Sequence, residues 1–397
     1  ALVNDEHICT AALSEMICSA RSYDTSADYH DSCAIFHPIP FRWCEATGFN
    51  GIIQVEPGRV LHCVWTFIRR TKRNPRTGMP TQTITQRLDS GDLLLMDGGT
   101  GSELQRRGVD VLQGATAQRL GAWSGPANID APDVVAEVHR DYLVARADII
   151  ISNSFWTNRH RLAPIGLGNN WERYARAAAR IAVETRNDTN LEAFVAGGIA
   201  APCMEVALPR AGQNPSSDVE SLGATSVRKM FSEVASVLAD EGVDFILPEY
   251  IGHIEDAVAA VEGASEAGLP VLLGMRHVTT NGNLQYGESF EELGAALSGL
   301  GVAGVMLMCS QPEEVSGSLP NLRNAFDGPI GAYSQIGYRP IAPLGGEESK
   351  NPLPPGENSP VRLAEFASDW LAMGAQIVGG CCATTPAHIK AMSKLLD

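Results

Sequence analysis

The sequence lacks any apolar run long enough to cross a bilayer, because none reaches the roughly 18–20 residues that a spanning helix needs. It also has no basic N-terminal segment followed by an apolar core, and we therefore expect no secretory signal. Basic residues are few: 30 Lys and Arg stand against 46 Asp and Glu, for a formal net charge of −16. This balance argues against nucleic acids and anionic membranes as partners.

A disulfide framework is not expected either. The nine cysteines are odd in number and irregular in spacing, and five of them precede residue 64. Such a set in a long acidic chain favours reduced thiols and a cytoplasmic location.

No phosphate-binding loop is present. The nearest stretch, Asp97-Gly98-Gly99-Thr100-Gly101, lacks both the lysine of a P-loop and the glycine spacing of a dinucleotide fingerprint. A carboxylate beside exposed backbone amides suits a zwitterion instead, with Asp97 facing an ammonium and the amides of Gly98 and Gly99 facing a carboxylate. A simple turn between a strand and a helix is the alternative.

Residues 1–78 differ in composition from the rest of the chain. They carry eight basic and eight acidic side chains, so the whole formal charge lies in residues 79–397. They are rich in Cys, His, Trp and Phe, show little periodicity and end in a basic, proline-broken stretch. We predict that residues 1–78 are an extension beyond the functional fold, with an N-terminal cap or an oligomerisation arm as the alternative.

From residue 91, short apolar runs alternate with amphipathic segments, which is typical of repeated βα units. The predicted strands are Leu93–Asp97, Asp148–Asn153, Phe194–Ile199, Asp244–Glu249, Pro270–Arg276, Gly304–Cys309, Pro329–Ser334 and Gln376–Gly380. The predicted helices lie near 132–147, 171–186, 225–241, 255–268, 289–300, 312–326, 360–374 and 386–396. In the first of them, Val134, Val138 and Tyr142 are predicted to share one buried face.

Eight strands and eight helices in about 300 residues predict an α/β fold, a (β/α)8 TIM barrel formed by residues 79–397. Periodicity does not reveal ring closure, so a doubly wound open sheet is the alternative. The active site of such a barrel lies at the C-terminal ends of its strands.

Three cysteines fall at these strand ends. Cys309 closes its own apolar run, and Cys381 and Cys382 follow Gly379 and Gly380 near the end of the chain. Adjacent cysteines do not easily bond each other, but with Cys309 they can direct three sulfurs at one soft cation. Zinc held by three protein ligands keeps a fourth position open, as catalytic zinc does, and we predict such a site here. For Cys309 alone, a buried small apolar residue is the alternative.

Further polar and aromatic residues fall at the same predicted rim. Glu249 follows an apolar run and needs a cationic or hydrogen-bonding partner there. Four aromatic residues, each of which alone is more typical of a core, could together form a cage for an onium cation. They are Trp123, Phe155, Trp156 and Tyr250.

These features resemble those of the zinc-dependent homocysteine S-methyltransferases, over residues 91 to 397. The segments that carry the resemblance are 94–99, 122–124, 138–143, 147–153, 379–382 and 386–389, of which Gly379-Gly380-Cys381-Cys382 is the most specific. The resemblance implies that Cys309, Cys381 and Cys382 bind Zn2+. It also implies that four residues hold the amino and carboxyl groups of homocysteine: Asp97, Gly98, Gly99 and Glu249.

Within that family, residues 243–250 and 253–258 resemble the betaine-using branch, whereas members that use S-methylmethionine usually have threonine where Tyr250 stands. The resemblance implies that Tyr250 and Trp123 contact a quaternary ammonium, with Phe155 or Trp156 closing the cage. Three places depart from the family pattern, and they bear on the donor more than on the metal. They are Met308 and Gln335, where asparagine is common, and the loop 197–202, which lacks a usual serine and glycine.

The family implies an enzyme that transfers a methyl group from an onium donor to the thiol of homocysteine, giving methionine. Glycine betaine is the first expected donor and dimethylsulfoniopropionate the second, with Arg276 or His277 as a partner for the donor carboxylate. An S-methylmethionine-type enzyme is the near alternative, and a non-catalytic barrel that binds zinc and an amino acid is the distant one. The sequence leaves open whether the protein is a homo-oligomer and whether Tyr333 occupies the fourth position on zinc before substrate binds.

Overall fold

The computed structural model describes residues 43–46, 49–52, 78–115, 121–202, 216–276, 278–284, 286–337 and 359–396. The chain separates into two units, residues 1–69 and 70–397. In the first unit, strands β1 (Trp43–Ala46) and β2 (Phe49–Ile52) pair antiparallel. Most of the predicted extension lies outside the described residues, so its role and its boundary at residue 78 stay predictions.

Eight parallel strands form the centre of the second unit. They are β3 (Leu94–Leu95), β4 (Ile149–Ile151), β5 (Phe194–Ala200), β6 (Phe245–Glu249), β7 (Leu272–Arg276), β8 (Gly304–Met308), β9 (Ile330–Ser334) and β10 (Ala375–Gly380). Hydrogen bonds order them as β3-β10-β9-β8-β7 and β4-β5-β6. Parallel bridges from Met96 to Ile149 and from Ile246 to Val271 join the two groups into a closed ring. The predicted (β/α)8 barrel is therefore confirmed.

Helices pack around this ring in the predicted order. The eight that follow the strands are α4 (Pro132–Val144), α6 (Trp171–Thr189), α8 (Ala224–Asp240), α9 (Ile254–Ser265), α10 (Phe290–Leu297), α11 (Pro312–Ala325), α12 (Pro360–Ala372) and α13 (Pro386–Ser393). Five shorter helices are also present: α1 (Ile84–Asp89), α2 (Thr100–Arg106), α3 (Ala127–Asp130), α5 (Arg159–Leu162) and α7 (Asp218–Leu222). None of the helices in the described ranges is long and apolar enough to cross a membrane.

Helix α4 illustrates how the pattern sets the packing. Pro132 occupies its first turn, where a missing N–H costs nothing. The buried side chains include Val135, Val138 and Tyr142, spaced three and four residues apart. Val134, which was predicted on this face, is only partly buried, so the prediction was wrong by one position.

Helix α1 closes the N-terminal end of the barrel. A Thr83–Gln86 capping box starts the helix, and its Ile84 and Leu88 side chains join the apolar cluster inside the ring. That cluster includes the first residues of several strands, Leu94 and Phe194 among them. The Gln376 amide donates to the Leu88 carbonyl at 2.8 Å. Because apolar side chains fill this end, the candidate site is sought at the opposite end, where the strands have their C-termini.

Candidate active site

The three predicted metal-binding cysteines converge at the C-terminal end of the barrel. The Sγ atom of Cys309 lies 3.6 Å from that of Cys382, which lies 3.9 Å from that of Cys381. All three sulfurs fall within 4.8 Å of one another. Tetrahedral zinc with Zn–S bonds of about 2.3 Å needs sulfurs about 3.8 Å apart. The donor atoms present therefore fit one zinc ion.

Backbone geometry turns these cysteines toward each other. Cys309 has a left-handed conformation, φ 47°, directly after β8, which ends that strand one residue before the predicted boundary. Its N–H donates to the Tyr333 carbonyl on the neighbouring strand. Gly379 lies so close to strand β3 that an added Cβ would stand 2.7 Å from the Cβ of Met96. Gly379 is thus required for the close approach of β10 to this segment.

The three thiols lie together, with Cys309 buried and Cys381 and Cys382 partly exposed, and they influence each other's ionisation. Hydrogen bonds from Cys309 and Cys381 lower the pKa of the Cys382 thiol. The pKa of Cys381 is raised by its hydrogen bonds with the other two thiols and by burial. Three thiolates this close together would repel one another, so the set favours a soft divalent cation as a counter-charge.

Two buried carboxylates lie at the same end of the barrel. Asp97 accepts a hydrogen bond from the Ile151 amide at 2.9 Å, while its Oδ1 has no partner among the described residues. Burial raises its pKa against that hydrogen bond, and the charge of Glu249 raises it further. Burial likewise raises the pKa of Glu249 to about 8. Both groups lack a cationic partner in the described structure, so an ammonium would be well placed between them.

Tyr333 and Met308 hold Glu249 and Tyr250 in place. The Tyr333 hydroxyl donates to Glu249 Oε2 at 3.2 Å and also lies 3.2 Å from Met308 Sδ. The Tyr250 amide donates to the same sulfur at 2.9 Å. An added Cβ on Gly274 would collide with the Tyr333 hydroxyl. The methionine that departs from the family pattern therefore acts as an internal acceptor.

The glycine loop after β3 is held against the cysteine turn. The Gly99 amide donates to Thr384 Oγ1 at 3.1 Å, and the same hydroxyl donates to the Cys381 carbonyl at 2.6 Å. An added Cβ on Gly98 would come within 2.6 Å of that hydroxyl. Since the Gly99 amide is engaged, Gly98 offers the more available N–H of the pair. Thr384 was missed by the sequence analysis, although its position two residues after the cysteine pair was a signal.

The predicted cage residues form a packed row. Phe155 stacks on Trp156 with centroids 5.5 Å apart and meets Tyr250 edge-on at 5.6 Å. An arginine covers each end: Arg161 lies 4.5 Å above the Trp156 ring, and Arg276 lies 3.9 Å above the Tyr250 ring. Two ring faces are thus already occupied by cations of the protein itself.

Trp123 is buried with a left-handed backbone, φ 50°, and its indole packs on Gly101. An added Cβ at Gly101 would stand 2.6 Å from Cε2 of that indole. Trp123 is therefore held beside the glycine loop. His277 lies outside the described residues.

The closed parallel barrel, with thiols and buried carboxylates together at its C-terminal rim, defines a (β/α)8-barrel enzyme with a candidate three-sulfur metal site. The sequence model of the family described as "Homocysteine S-methyltransferase" matches residues 94–396. The chain belongs to that family, and it is a methyltransferase that acts on homocysteine.

Individual relatives agree with this assignment. The chain is 26% identical to betaine–homocysteine S-methyltransferase 1 of Bos taurus over 329 residues, which cover 79% of this chain and 74% of the relative. It is also 26% identical to S-methylmethionine–homocysteine S-methyltransferase BHMT2 of Rattus norvegicus, covering 79% and 81%. Its fold is similar to the metallated crystal structure of the homocysteine methyltransferase MmuM from Escherichia coli. That match has a TM-score of 0.61 and 22% identity, and it covers 78% of this chain and 98% of the other.

Proposed function

We propose that this protein is a zinc-dependent enzyme that transfers a methyl group from glycine betaine or dimethylsulfoniopropionate to homocysteine, giving methionine. The observation that carries the zinc assignment is the separation of the three sulfurs, 3.6 and 3.9 Å, which is close to that of a tetrahedral zinc site. Cys309, Cys381 and Cys382 would hold the ion. Small molecules are the substrates, the cytoplasmic location stays a prediction, and the question of a homo-oligomer stays open.

Homocysteine would bind through its amino and carboxyl groups. Asp97 and Glu249 are two buried carboxylates without a cationic partner in the described structure, and an ammonium between them would stabilise both as anions. The Gly98 amide, beside them at the start of the loop, is the proposed donor to the substrate carboxylate. This arrangement would fix the direction of the homocysteine side chain toward the sulfur cluster.

The reacting sulfur must be a thiolate, because the thiol is a poor nucleophile. Zinc, when bound, would lower the pKa of a coordinated thiol and fix its position. The protein need not supply a general acid, since an onium donor leaves as a neutral amine or sulfide. Its own residues would align the donor methyl with the sulfur and exclude water. They must also not hold the cation too tightly, because the donor's charge is lost in the transition state.

Overall similarity and the residues at the rim bear differently on the methyl donor. Relatives named for betaine and for S-methylmethionine have the same 26% identity to this chain, so overall similarity does not discriminate between them. Tyr250 supports the betaine-using branch, because the other branch usually has threonine at this position. The row of Phe155, Trp156 and Tyr250, together with Trp123, supplies the aromatic surface for an onium methyl group.

The test is mass spectrometry of methionine formed from carbon-13-labelled homocysteine by zinc-loaded protein. Three parallel reactions contain glycine betaine, dimethylsulfoniopropionate or S-methylmethionine. We expect labelled methionine from one or both of the first two. Labelled methionine from S-methylmethionine alone would replace the proposed donor with that of the near alternative.

Cys381→Ala is the control, and it should lose both bound zinc and methionine formation. Wild-type protein that keeps one equivalent of zinc yet makes no methionine from any donor would contradict the proposed donors. It would then favour a methyl donor outside these three.

A further inference from the structure

Arg276 is a buried cation without a partner for most of its hydrogen-bond donors. It ends strand β7 at the catalytic end of the barrel and is only 5% exposed. Its Nε and Nη1 atoms are buried and have no hydrogen-bond partner among the described residues, and no described carboxylate forms an ion pair with it. A buried guanidinium is costly unless an anion compensates it. The positive charge of Arg276 at the rim of the site is therefore not compensated by an anion of the described structure.

Two tyrosine side chains lie beside Arg276. Its guanidinium lies over the Tyr250 ring at 3.9 Å, and the Tyr250 phenol forms a hydrogen bond with it. On the neighbouring side, an added Cβ on Gly252 would stand 3.7 Å from Arg276 Nε and 2.9 Å from the Tyr286 ring. A glycine at this position thus lets Tyr286 pack close to the Arg276 side chain.

The thiolates of the metal site are the other candidate anions for Arg276. Its positive charge does lower the pKa of Cys309, but it is the weakest of the causes acting on that thiol. No hydrogen bond between the guanidinium and any of the three sulfurs occurs in the described structure. Nε carries one N–H and Nη1 two, so three N–H donors of this guanidinium have no partner among the described residues, and each can donate to a carboxylate oxygen.

We propose that Arg276, held over Tyr250 at the barrel rim with Nε and Nη1 unpaired, binds the carboxylate of the methyl donor. The enzyme would then select zwitterionic onium carboxylates over donors that carry only the onium charge. This inference rests on the proposed methyl transfer and names the substrate class that the site takes. A donor without a carboxylate would bring a second positive charge toward an unpaired guanidinium, which repels it.

This assignment also gives Tyr250 a second task. The ring face that Arg276 covers cannot receive an onium group at the same time. Tyr250 therefore positions the carboxylate-binding arginine, and the onium methyl group meets the remaining aromatic surface and the sulfur of homocysteine. Tyr250 then lies between the site proposed for the donor carboxylate and the surface proposed for its onium group.

The experiment compares each donor with its primary amide, which has the same shape but no negative charge. Glycine betaine and dimethylsulfoniopropionate are each paired with their amides, and kcat/KM is measured with homocysteine at saturation. We expect wild-type protein to prefer each acid by at least 100-fold. Arg276→Gln should reduce that preference at least tenfold, mainly through the KM of the acid, and Arg276→Lys should restore part of it.

Arg161→Gln is the matched control, because Arg161 covers Trp156 in the same row as Arg276 covers Tyr250. Its preference for acid over amide should stay at the wild-type value. Equal use of acid and amide by the wild-type protein would overturn the inference, as would a preference that survives in Arg276→Gln. Loss of bound zinc from Arg276→Gln would also overturn it, because Arg276 would then act as a counter-charge for the thiolates.

Calorimetric titration of each acid and amide into the zinc-loaded protein separates this inference from the proposed function. If no donor yields methionine, but the acids bind and Arg276→Gln weakens their binding at least tenfold, the carboxylate site stands and the methyl-transfer proposal fails. If the acids bind no better than the amides, the carboxylate site fails whatever the turnover.

Discussion

At the scale of single residues, the candidate active site contains backbone conformations that residues other than glycine seldom adopt. Trp123, Tyr250 and Cys309 have φ values of 50°, 64° and 47°. Each left-handed residue other than glycine costs about 1–3 kcal/mol, and such strain persists only where the surrounding structure holds it. The side chains of these residues were predictable at the rim, because each follows a predicted strand or motif. Their directions were not, because no residue spacing encodes a positive φ.

Tyr333→Phe tests whether a second residue controls the position of Glu249. The variant removes the hydroxyl that donates to Glu249 Oε2 at 3.2 Å and leaves the ring in place. A hydrogen bond to a charged group contributes about 1.5–3 kcal/mol, so we expect the KM for homocysteine to rise about 10- to 100-fold. Steady-state kinetics with varied homocysteine checks this value.

The KM for the methyl donor serves as the internal control for Tyr333→Phe, and it should change less than threefold. An unchanged homocysteine KM with a reduced kcat would contradict the positioning role. It would indicate instead that Tyr333 acts on the transferring methyl group or on the sulfur cluster.

At the scale of elements, the sequence was sufficient for what depends on local periodicity. All eight predicted strands and all eight predicted helices are present, with ends that differ by a few residues. Helix α2 was missed, because it starts directly at the glycine loop and has seven residues, too few to display a periodic apolar face. The end of β8 was predicted one residue too late, because the left-handed backbone of Cys309 ends the strand.

Leu88→Ala tests the role of helix α1 as the closure of the barrel end opposite the active site. Leu88 is 2% exposed inside the ring, so its truncation should lower the free energy of unfolding by about 2–5 kcal/mol. Zinc content and substrate KM values should stay near wild type, because the change lies at the far end of the barrel. Denaturant unfolding and metal analysis measure both effects.

Asp89→Ala is the control on the same helix, since Asp89 is exposed, and it should change stability by less than about 0.5 kcal/mol. An equally small effect of Leu88→Ala would mean that α1 does not contribute to the barrel core.

At the scale of the whole molecule, the site exists only because the ring closes. Strand β3 pairs with β10, and the Gly380 amide donates to the Asp97 carbonyl at 3.0 Å, although 283 positions separate them in the chain. Closure between β3 and β4 depends on a bridge of Met96 with Ile149 rather than on a long ladder. Such sparse, long-range pairing leaves no periodic signal, so the count of strands favoured the barrel while periodicity alone left a doubly wound open sheet as the alternative.

Acid stability is a property of the whole fold that one buried residue should control. His139 lies on the buried face of α4, and neither ring nitrogen has a hydrogen-bond partner among the described residues. Burial lowers its pKa from 6.5 to about 4. In the unfolded chain His139 is protonated below about pH 6.5, whereas in the folded protein it is protonated only below about pH 4. Acidification across this window therefore favours unfolding.

The expected loss is about 3 kcal/mol between pH 6.5 and pH 4, from the shift of the His139 pKa at about 1.4 kcal/mol per unit. Typical domains are stable by only about 5–15 kcal/mol, so this is a large share of the total. Carboxylates also titrate in this window, and His139→Leu therefore serves as the reference that keeps their contribution and removes that of the imidazole. The difference in unfolding free energy between wild type and His139→Leu should be constant above pH 7 and shift by about 3 kcal/mol toward the variant by pH 4. Urea unfolding at half-unit pH steps measures it, and two parallel curves over the whole range would mean that the folded protein protonates His139 as readily as the unfolded chain does.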